Sequence, residues 1–365
     1  MHRSNPFVYG KVVSGEDFVN RQKELEELDS VIKSGKSVIL YSPRGTGKTS
    51  LIHEFFSRLP KDYKGIIIDM FGTSTRDELA KELVRNITMS VYGTLDKIRK
   101  SIGEFLRKLR FEIVLTPEGE IRFELSRTPS DEDLAMILDL PERIGREKRM
   151  TVVVAFDEFQ EVGKLDGEEL EKLMRSRFQH HQNAVYIFTG SRRHMIHQIF
   201  EEEQRAFYRF GRPMELGPIP REEFSEYIKE KFEKSGGRIS DAAVERILDI
   251  TEGHPSFTQQ LCYELWFISK NVEDEALVEE AVETIIIHEE RHYLKIWENL
   301  TRLQRRLLMG LAREEVGPYS QQFISKYGLG SPANVRRGLE LLEKRGIVEE
   351  GKISDIFFRE WLRRK

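Results

Sequence analysis

The chain has 365 residues, more than one ordinary hydrophobic core accommodates, so its length predicts two or three domains. Hydrophobic residues make up 39% and charged residues 33%, which excludes a disordered or fibrous chain. The single cysteine excludes an intrachain disulfide and a cysteine-based metal cluster. No apolar run approaches the roughly 20 residues that span a bilayer, so we expect a cytoplasmic protein without a membrane partner. The abundance of Lys, Arg and Glu is typical of thermophile surfaces.

The net charge of −4 conceals an uneven distribution. Residues 300–365 contain 14 Lys and Arg against 8 Asp and Glu, a local charge of +6, and the remainder contains 44 against 54, or −10. A basic C-terminal segment on an acidic body is typical of a nucleic-acid contact. An arginine-rich solvated face explains the same charge equally well, so both interpretations remain open.

The first half of the chain alternates apolar runs with helical patterns. Strands are predicted at 37–41, 65–70, 151–156 and 184–188, and helices at 24–32, 49–59, 75–91, 131–146 and 167–180. Residues 111–125 alternate apolar and polar side chains on both sides of a Pro-Glu-Gly turn, which predicts an inserted hairpin. Strands that alternate with helices over about 190 residues predict a parallel sheet covered by helices on both faces.

Helical patterns replace the strands after residues 213–220. Helices are predicted at 221–234, 240–251, 255–269 and 274–293, then at 301–312, 320–327 and 331–345. An apolar–charged stretch at 346–353 and a last helix ending at Trp361 follow. Three helices before a two-stranded ribbon are typical of a winged helix-turn-helix. We predict an α/β domain at 1–215 with the hairpin insertion at about 111–126, a helical lid domain at 216–298 and a winged helix at 299–365.

A glycine-rich turn joins the first predicted strand to the next helix, in the sequence S-V-I-L-Y-S-P-R-G-T-G-K-T-S. It matches the P-loop pattern except at the first position, where Ser42 replaces glycine. Gly45 and Gly47 allow backbone N–H groups to point at phosphate oxygens, and the helix N-terminus adds its dipole. We expect Lys48 to bridge the β- and γ-phosphates and the Thr49 hydroxyl to coordinate Mg²⁺. The predicted nucleotide-binding residues of this loop are consecutive: Ser42, Pro43, Arg44, Gly45, Thr46, Gly47, Lys48, Thr49 and Ser50.

Two acids follow the most hydrophobic strand, T-V-V-V-A-F-D-E. We expect Asp157 to hold Mg²⁺ through water and Glu158 to polarise the attacking water as general base. The next strand ends in Thr189, Gly190 and Ser191, and polar residues there lie beside the γ-phosphate. Ser191 can sense the γ-phosphate by hydrogen bonding and can also cap the following helix; both roles are compatible, and sensing is favoured. The loop and the acids together predict a P-loop ATPase that binds ATP with Mg²⁺ and hydrolyses it.

An arginine-rich stretch follows, with Arg205, Arg209 and Arg212. An arginine at the γ-phosphate neutralises charge in the transition state, either within the chain or from a neighbouring subunit of a homo-oligomer. Surface arginines are more often solvated or salt-bridged. Arg209 and Arg212 are the better candidates for a catalytic arginine.

Together these features resemble the archaeal ATPase family within the STAND class of P-loop NTPases and, more distantly, the archaeal origin-recognition AAA+ ATPases. The sequence D-F-V-N-R-Q-K-E-L-E-E-L resembles the family's N-terminal motif, with Asn20 where glycine is usual. The resemblance implies that three residues lie near the adenine: Phe18, Val19 and Arg21.

A second motif, E-G-H-P-S-F-T-Q-Q-L, resembles the family's Gly-x-Pro loop, and the resemblance implies that His254 and Pro255 approach the nucleotide. The same residues fit an ordinary boundary between two helices equally well, with Gly253 just after the end of one helix and Pro255 at the first position of the next. No arginine stands in this segment where origin-recognition ATPases carry their second sensor. That difference favours the STAND-like interpretation.

The predicted winged helix is similar to those that close such chains. Asn334 and Arg337 lie outward on its third helix and Lys352 lies in the wing, as a contact with DNA phosphates requires. Glu340 and Glu343 also lie outward and would repel DNA. Double-stranded DNA and a protein therefore both remain open as partners of the winged helix.

Three functions fit the sequence. The first is a STAND-like switch, in which ATP or ADP at the P-loop controls the helical domain and thereby the winged helix. The second is a DNA-binding AAA+ loader or remodeller, and the third is an ATP-dependent adaptor that does not hydrolyse. Hydrolysis stimulated by DNA would favour the second function. Tight nucleotide retention without a DNA effect would favour the first or the third.

Overall fold

The computed structural model describes residues 5–314 and 317–365. Its contacts divide the chain into two compact units. The first unit is Val12–Gly217, and the second is Pro218–Lys365 together with the described residues before Val12. The predicted boundary between a lid domain and a winged helix lies inside the second unit and stays a prediction.

The first unit combines a parallel sheet with a β-hairpin and flanking helices. Its strands are β1 (Val38–Tyr41), β2 (Tyr63–Asp69), β3 (Phe111–Leu115), β4 (Ile121–Leu125), β5 (Thr151–Asp157), β6 (Ala184–Gly190) and β7 (Arg212–Glu215). Its α-helices are α1 (Gln22–Lys33), α2 (Lys48–Ser57), α3 (Arg76–Tyr92), α4 (Leu95–Lys108), α5 (Asp131–Leu138), α6 (Leu140–Lys148), α7 (Glu168–Phe178) and α8 (Arg193–Glu201).

The five-stranded sheet has the order β2-β5-β6-β1-β7, and all its pairings are parallel. Tyr41, the last residue of β1, pairs with Gly190 of β6, and Asp69 of β2 pairs with Asp157 of β5. The carboxyl ends of these strands therefore meet at one edge of the sheet, where ligands bind in α/β folds. The predicted α/β class and the parallel sheet are confirmed.

Apolar side chains cover both faces of this sheet. Strand β5 shows the division, because Val154 and Phe156 join one buried cluster and Val153 joins the other. A strand buried on both faces reads as a continuous apolar run. That property explains why β5 is the clearest strand in the sequence.

Neither α4 nor β7 is predicted from the sequence. Helix α4 buries Ile98, Ile102 and Leu106, which stand four residues apart, but charged residues separate them. Strand β7 contains Pro213, which is tolerated because β7 lies at the edge of the sheet. The single helix predicted at 131–146 is two helices, α5 and α6, because Pro141 interrupts the backbone hydrogen-bond ladder.

A polar cluster lies at the amino end of β6. His181 contacts the buried Tyr186 hydroxyl through Nδ1 and lies 3.0 Å from Asp139 Oδ1 through Nε2. A neutral imidazole satisfies both partners when Nε2 carries the proton. Burial lowers the pKa of His181 below its ordinary value, although the Asp139 carboxylate acts in the opposite direction.

We expect His181 to make the stability of the protein depend on pH. Because its pKa is lower in the folded than in the unfolded state, the unfolded chain binds more protons below about pH 6.5. The free energy of unfolding should therefore fall as the pH drops from 7.5 to 5.5. Urea unfolding of His181→Gln should show a weaker dependence over this interval, and His53→Gln, at an exposed position on α2, is the matched control. An unchanged dependence in His181→Gln would contradict the assignment.

The second unit is mainly helical. Its helices are α9 (Arg221–Lys234), α10 (Asp241–Thr251), α11 (Pro255–Ile268), α12 (Glu275–Glu298), α13 (Arg302–Arg313), α14 (Gln321–Tyr327), α15 (Pro332–Lys344) and α16 (Ile356–Arg364). Its strands form two short ladders, β8 (Arg238–Ile239) with β9 (Asn271–Val272) and β10 (Val348–Glu349) with β11 (Lys352–Ile353).

The C-terminal part of this unit has the order of a winged helix. Helices α13, α14 and α15 precede the antiparallel ribbon β10–β11, and α16 closes the chain. Val335, Leu339 and Leu342 form the buried side of α15, as predicted. No helix in the two described ranges is both long and apolar enough to cross a bilayer.

Candidate functional site

The glycine-rich loop at residues 42–47 connects β1 to α2 at the carboxyl edge of the sheet. Gly45 and Gly47 have φ of 77° and 92°, in the left-handed region that favours glycine. A Cβ at Gly47 would meet no atom within 4 Å, so the backbone conformation, not space, requires glycine there. Helix α2 begins at Lys48 and directs its N-terminus into the loop.

The loop holds the Lys48 ammonium against its own carbonyl groups. Nζ donates to the carbonyl oxygens of Ser42 at 2.9 Å and Pro43 at 3.1 Å, and the lysine is 6% exposed. The Ser42 side chain is buried and contacts the Thr46 hydroxyl, which also donates to the Pro43 carbonyl at 2.8 Å. Serine in place of the first glycine therefore adds hydrogen bonds that close the loop.

A hydroxyl and a carboxylate meet beside the loop. Thr49 Oγ1 donates to Asp157 Oδ2 at 2.7 Å, and the Thr189 hydroxyl donates to Asp157 Oδ1. Hydroxyl and carboxylate oxygens are ligands that suit Mg²⁺, so the residues present fit the ion that P-loop proteins use. The described residues contain no group of three or more His, Cys, Asp and Glu arranged around a metal position. Mg²⁺ sites of P-loop proteins need none, because substrate phosphates and water complete them.

Glu158 adopts a left-handed backbone conformation with φ of 54°. Strained backbone at a non-glycine residue is often found at functional sites. Its Oε2 accepts a hydrogen bond from Ser191 Oγ at 2.6 Å and another from Gln160 Nε2. The alternative that Ser191 caps α8 is wrong, because Arg192 precedes that helix without a side-chain capping bond.

Three residues of this edge are absent from the site residues predicted from the sequence, although Thr189 is predicted there as a polar residue at a strand end. Thr189 binds Asp157 and accepts the Glu158 backbone N–H at 3.3 Å, and Gln160 binds the Glu158 side chain. Asp69 is the third, since it is paired in register with Asp157. The position of Thr189 at the end of β6 is the only one of these signals that the sequence contains, in the strand A-V-Y-I-F-T-G-S.

Arg21 of the N-terminal motif is hydrogen-bonded to the glycine-rich loop. Arg21 is buried, and its guanidinium donates to the Thr46 carbonyl at 3.1 Å and to the Gly217 carbonyl at 2.8 Å. Asn20, which stands where the family usually has glycine, has a positive φ of 22°.

The other predicted residues of this region are also within the unit. Val19 is buried, and Phe18 packs on the core cluster under α1 and α2. Ser50 Oγ accepts a hydrogen bond from the Val13 N–H at 3.1 Å. Their proximity to adenine stays a prediction.

The three candidate arginines have partners within the unit. Arg205 binds the fully buried Glu171, and burial raises the pKa of this carboxyl although Arg205 opposes the rise. Arg212 pairs with Glu27 at 2.6 Å and stands beside Val38, at the amino end of the sheet. This position is one strand length, about 10 Å, from the loop edge. Arg212 therefore does not fit a catalytic arginine within the same chain, and its role across a subunit interface stays a prediction.

Arg209 has a left-handed backbone, with φ of 52°, and its guanidinium lies over the Tyr208 ring. It lines a cavity of about 270 Å³ together with Ile39, Ile196 and Phe200. Its contact with a nucleotide stays a prediction.

His254 and Pro255 lie in the second unit. Pro255 is the first residue of α11, Gly253 has φ of 70°, and the His254 ring packs against Phe257 at 4.5 Å between centroids. These features match an ordinary boundary between two helices. A nucleotide contact by His254 and Pro255 stays a prediction.

Comparison with known proteins identifies the family. A family model described as an ATPase domain predominantly from Archaea matches residues 18–261, two thirds of the chain. The chain belongs to this family. A model described as a probable winged helix domain matches residues 291–364.

Two curated proteins are similar to parts of this chain. One uncharacterized ATP-binding protein of Pyrococcus abyssi is 30% identical over 155 residues, which are 42% of this chain and 42% of the relative. Another from the same organism is 40% identical over 58 residues, 15% of this chain and 17% of the relative. The chain thus spans less than half the length of the curated relatives it matches.

Solved structures share the fold over nearly the whole chain. A Walker-type ATPase of Pyrococcus abyssi gives a TM-score of 0.67 at 22% identity and covers 95% of this chain and 97% of its own. The ORC1 protein of Aeropyrum pernix, solved in complex with DNA, gives 0.52 at 16% identity, with 95% and 93% covered. At these identities the likeness establishes the fold of a P-loop ATPase with a C-terminal winged helix, and nothing further.

Proposed function

We propose that this ATPase-family chain binds ATP with Mg²⁺ at the loop of residues 42–49 and hydrolyses it with slow turnover. The contact of 2.7 Å between Thr49 Oγ1 and Asp157 Oδ2 carries the proposal. It joins the first residues of α2 to the end of β5, beside the Lys48 ammonium. A P-loop site needs a cation-binding hydroxyl, a carboxylate and a lysine at one edge of a sheet.

Each side chain has a role that follows from its contacts. Lys48 would exchange the carbonyls of Ser42 and Pro43 for β- and γ-phosphate oxygens, which are stronger acceptors for an ammonium group. Mg²⁺, when bound by Thr49 and Asp157, would neutralise charge on the same phosphates. Glu158 would accept the proton of the attacking water.

A STAND-like switch is the biological role that we propose for this site. Arg21 binds both the Thr46 carbonyl in the loop and the carbonyl of Gly217, the last residue of the first unit. A change of the loop on nucleotide binding would therefore pull on the segment that leads into Pro218. This arrangement supports coupling of nucleotide state to the helical and winged-helix part, with a protein or DNA as its partner.

The switch and its alternatives differ in turnover. The nucleotide that co-purifies should be identified, and phosphate release should then be measured with and without duplex DNA. A switch should retain nucleotide tightly and turn over at a rate that DNA does not change. DNA-stimulated release would favour a loader or remodeller that shares sites in a homo-oligomer, and retention without any release would favour an adaptor.

DNA binding is the second candidate, because Arg337 and Lys344 are exposed on the outward side of α15 and Lys352 is 80% exposed in the wing. The fold is also that of the ORC1 protein of Aeropyrum pernix, which was solved with DNA. Some of the basic side chains of the C-terminal segment, however, form ion pairs within the protein. Arg359 and Arg364 pair with acids of the same unit, at Glu252 and Glu283.

If DNA is the partner, the double variant Arg337→Glu and Lys352→Glu should bind all duplex sequences more weakly. The slope of the logarithm of the binding constant against the logarithm of salt concentration should become shallower by about one or two, because fewer counterions are released. Anisotropy titrations at two salt concentrations measure both effects. The matched control is Arg99→Glu with Lys100→Glu, an equal charge change on the exposed side of α4. No affinity of the unmodified protein for DNA at low salt would leave a protein as the partner.

A further inference from the structure

A buried glutamine lies behind the proposed general base. Gln160 follows Glu158 by two residues, in the 3-10 helix Phe159–Lys164, and is 1% exposed. Its Nε2 donates to Glu158 Oε2, the oxygen that also accepts the Ser191 hydroxyl at 2.6 Å. Two donors from different elements therefore hold one oxygen of the same carboxylate.

Burial of the Gln160 carbonyl oxygen, Oε1, costs free energy of folding. This atom is buried and has no hydrogen-bond partner among the described residues. An apolar side chain of similar size would avoid this cost, because buried polar atoms without partners destabilise the folded state. The neighbouring strand end leaves room for the amide, since a Cβ at Gly190 would stand 2.6 Å from Gln160 Oε1. The amide thus fits the space beside Gly190, but the part of the chain that the structure describes offers a partner to its Nε2 and none to its Oε1.

We propose that Gln160 is a positioning residue for Glu158. Its amide and the Ser191 hydroxyl fix Oε2, which leaves Oε1 of the carboxylate as the oxygen that meets the attacking water. The left-handed backbone of Glu158, with φ of 54°, is a strained conformation of the kind that is found at functional sites. This proposal rests on the role of Glu158 as general base.

The test compares two variants of Gln160 in the full chain. Gln160→Met keeps the volume and removes the donor, so kcat should fall roughly tenfold while the Kd for ATP stays within about twofold. Gln160→Glu keeps the shape and puts a second carboxylate against Glu158. Two carboxylates in contact hold a proton between them, so the acid limb of the pH profile of kcat should move to higher pH. That shift tests the contact between the two side chains, whereas the fall of kcat at an unchanged Kd for ATP in Gln160→Met separates positioning from a merely structural role, which would lower stability instead.

Two controls make the outcome decisive. Gln304→Met changes another buried glutamine, which caps α13, and should lower thermal stability without changing kcat. Glu158→Gln is measured in parallel. If Glu158→Gln keeps its turnover, the proposed function loses its base. If Glu158→Gln loses turnover but both Gln160 variants keep the kcat and pH profile of the unmodified protein, the positioning role alone is overturned. A rise of kcat in Gln160→Met would also overturn it, since Gln160 would then restrain the base.

Discussion

Glu158→Gln should reduce ATP hydrolysis by roughly 100-fold or more while ATP still binds. The amide keeps the shape of the side chain and can still contact the Ser191 hydroxyl, which lies 2.6 Å from Oε2. It cannot accept the proton of the attacking water. Steady-state phosphate release measures the loss of chemistry, and an equilibrium titration with a fluorescent ATP analogue measures binding.

The matched control for this variant is Glu169→Gln, at an exposed position in the first turn of α7. It removes the same charge from the same unit and should leave turnover unchanged. If Glu158→Gln hydrolyses ATP at the rate of the unmodified protein, another group orients the water. The short contact network around Glu158 would then have a structural role.

Lys48→Ala should lower the affinity for ATP at least tenfold, about 1.4 kcal/mol. Lys48 is the loop's ammonium group, and its Nζ already lies among the loop carbonyls at 2.9 and 3.1 Å. Without this charge, the phosphates keep only the backbone N–H groups and the helix dipole. An equilibrium titration with the fluorescent analogue measures the change.

Lys36→Ala is the control for this titration, because Lys36 is an exposed lysine shortly before β1. Lys48 is itself buried, so the fold of the variant should be checked by thermal unfolding, and Lys48→Met provides a second variant that fills the space. An unchanged affinity in a folded Lys48 variant would contradict the P-loop interpretation.

Local sequence patterns predict the sheet and the loop because their causes are local. Strand β5 is apolar on both faces, and it ends in Asp157 and Glu158. Gly45 and Gly47 stand where the backbone needs positive φ. Once the strands are known to be parallel, the carboxyl ends must share an edge, so the meeting of Thr49 with Asp157 follows from topology.

Contacts between residues distant in sequence account for what the sequence does not predict. The Arg21 guanidinium reaches Thr46 and also Gly217, which is 196 residues away along the chain. Nothing in the N-terminal motif indicates such partners. Arg212 likewise suits a catalytic role by residue type. However, its strand runs parallel to β1, and Arg212 pairs with Val38 at the amino ends of the strands, away from the loop.

Phosphate release from ATP by the unmodified full chain, measured with Mg²⁺ and with Mg²⁺ removed by a chelator, tests the central claim most directly. We expect slow release that requires Mg²⁺, because Thr49 and Asp157 offer a hydroxyl and a carboxylate as ligands, and the ion would neutralise the negative charge of the phosphates. Release that is the same in the presence and absence of Mg²⁺, or no ATP binding under either condition, would contradict an ATPase site at this loop.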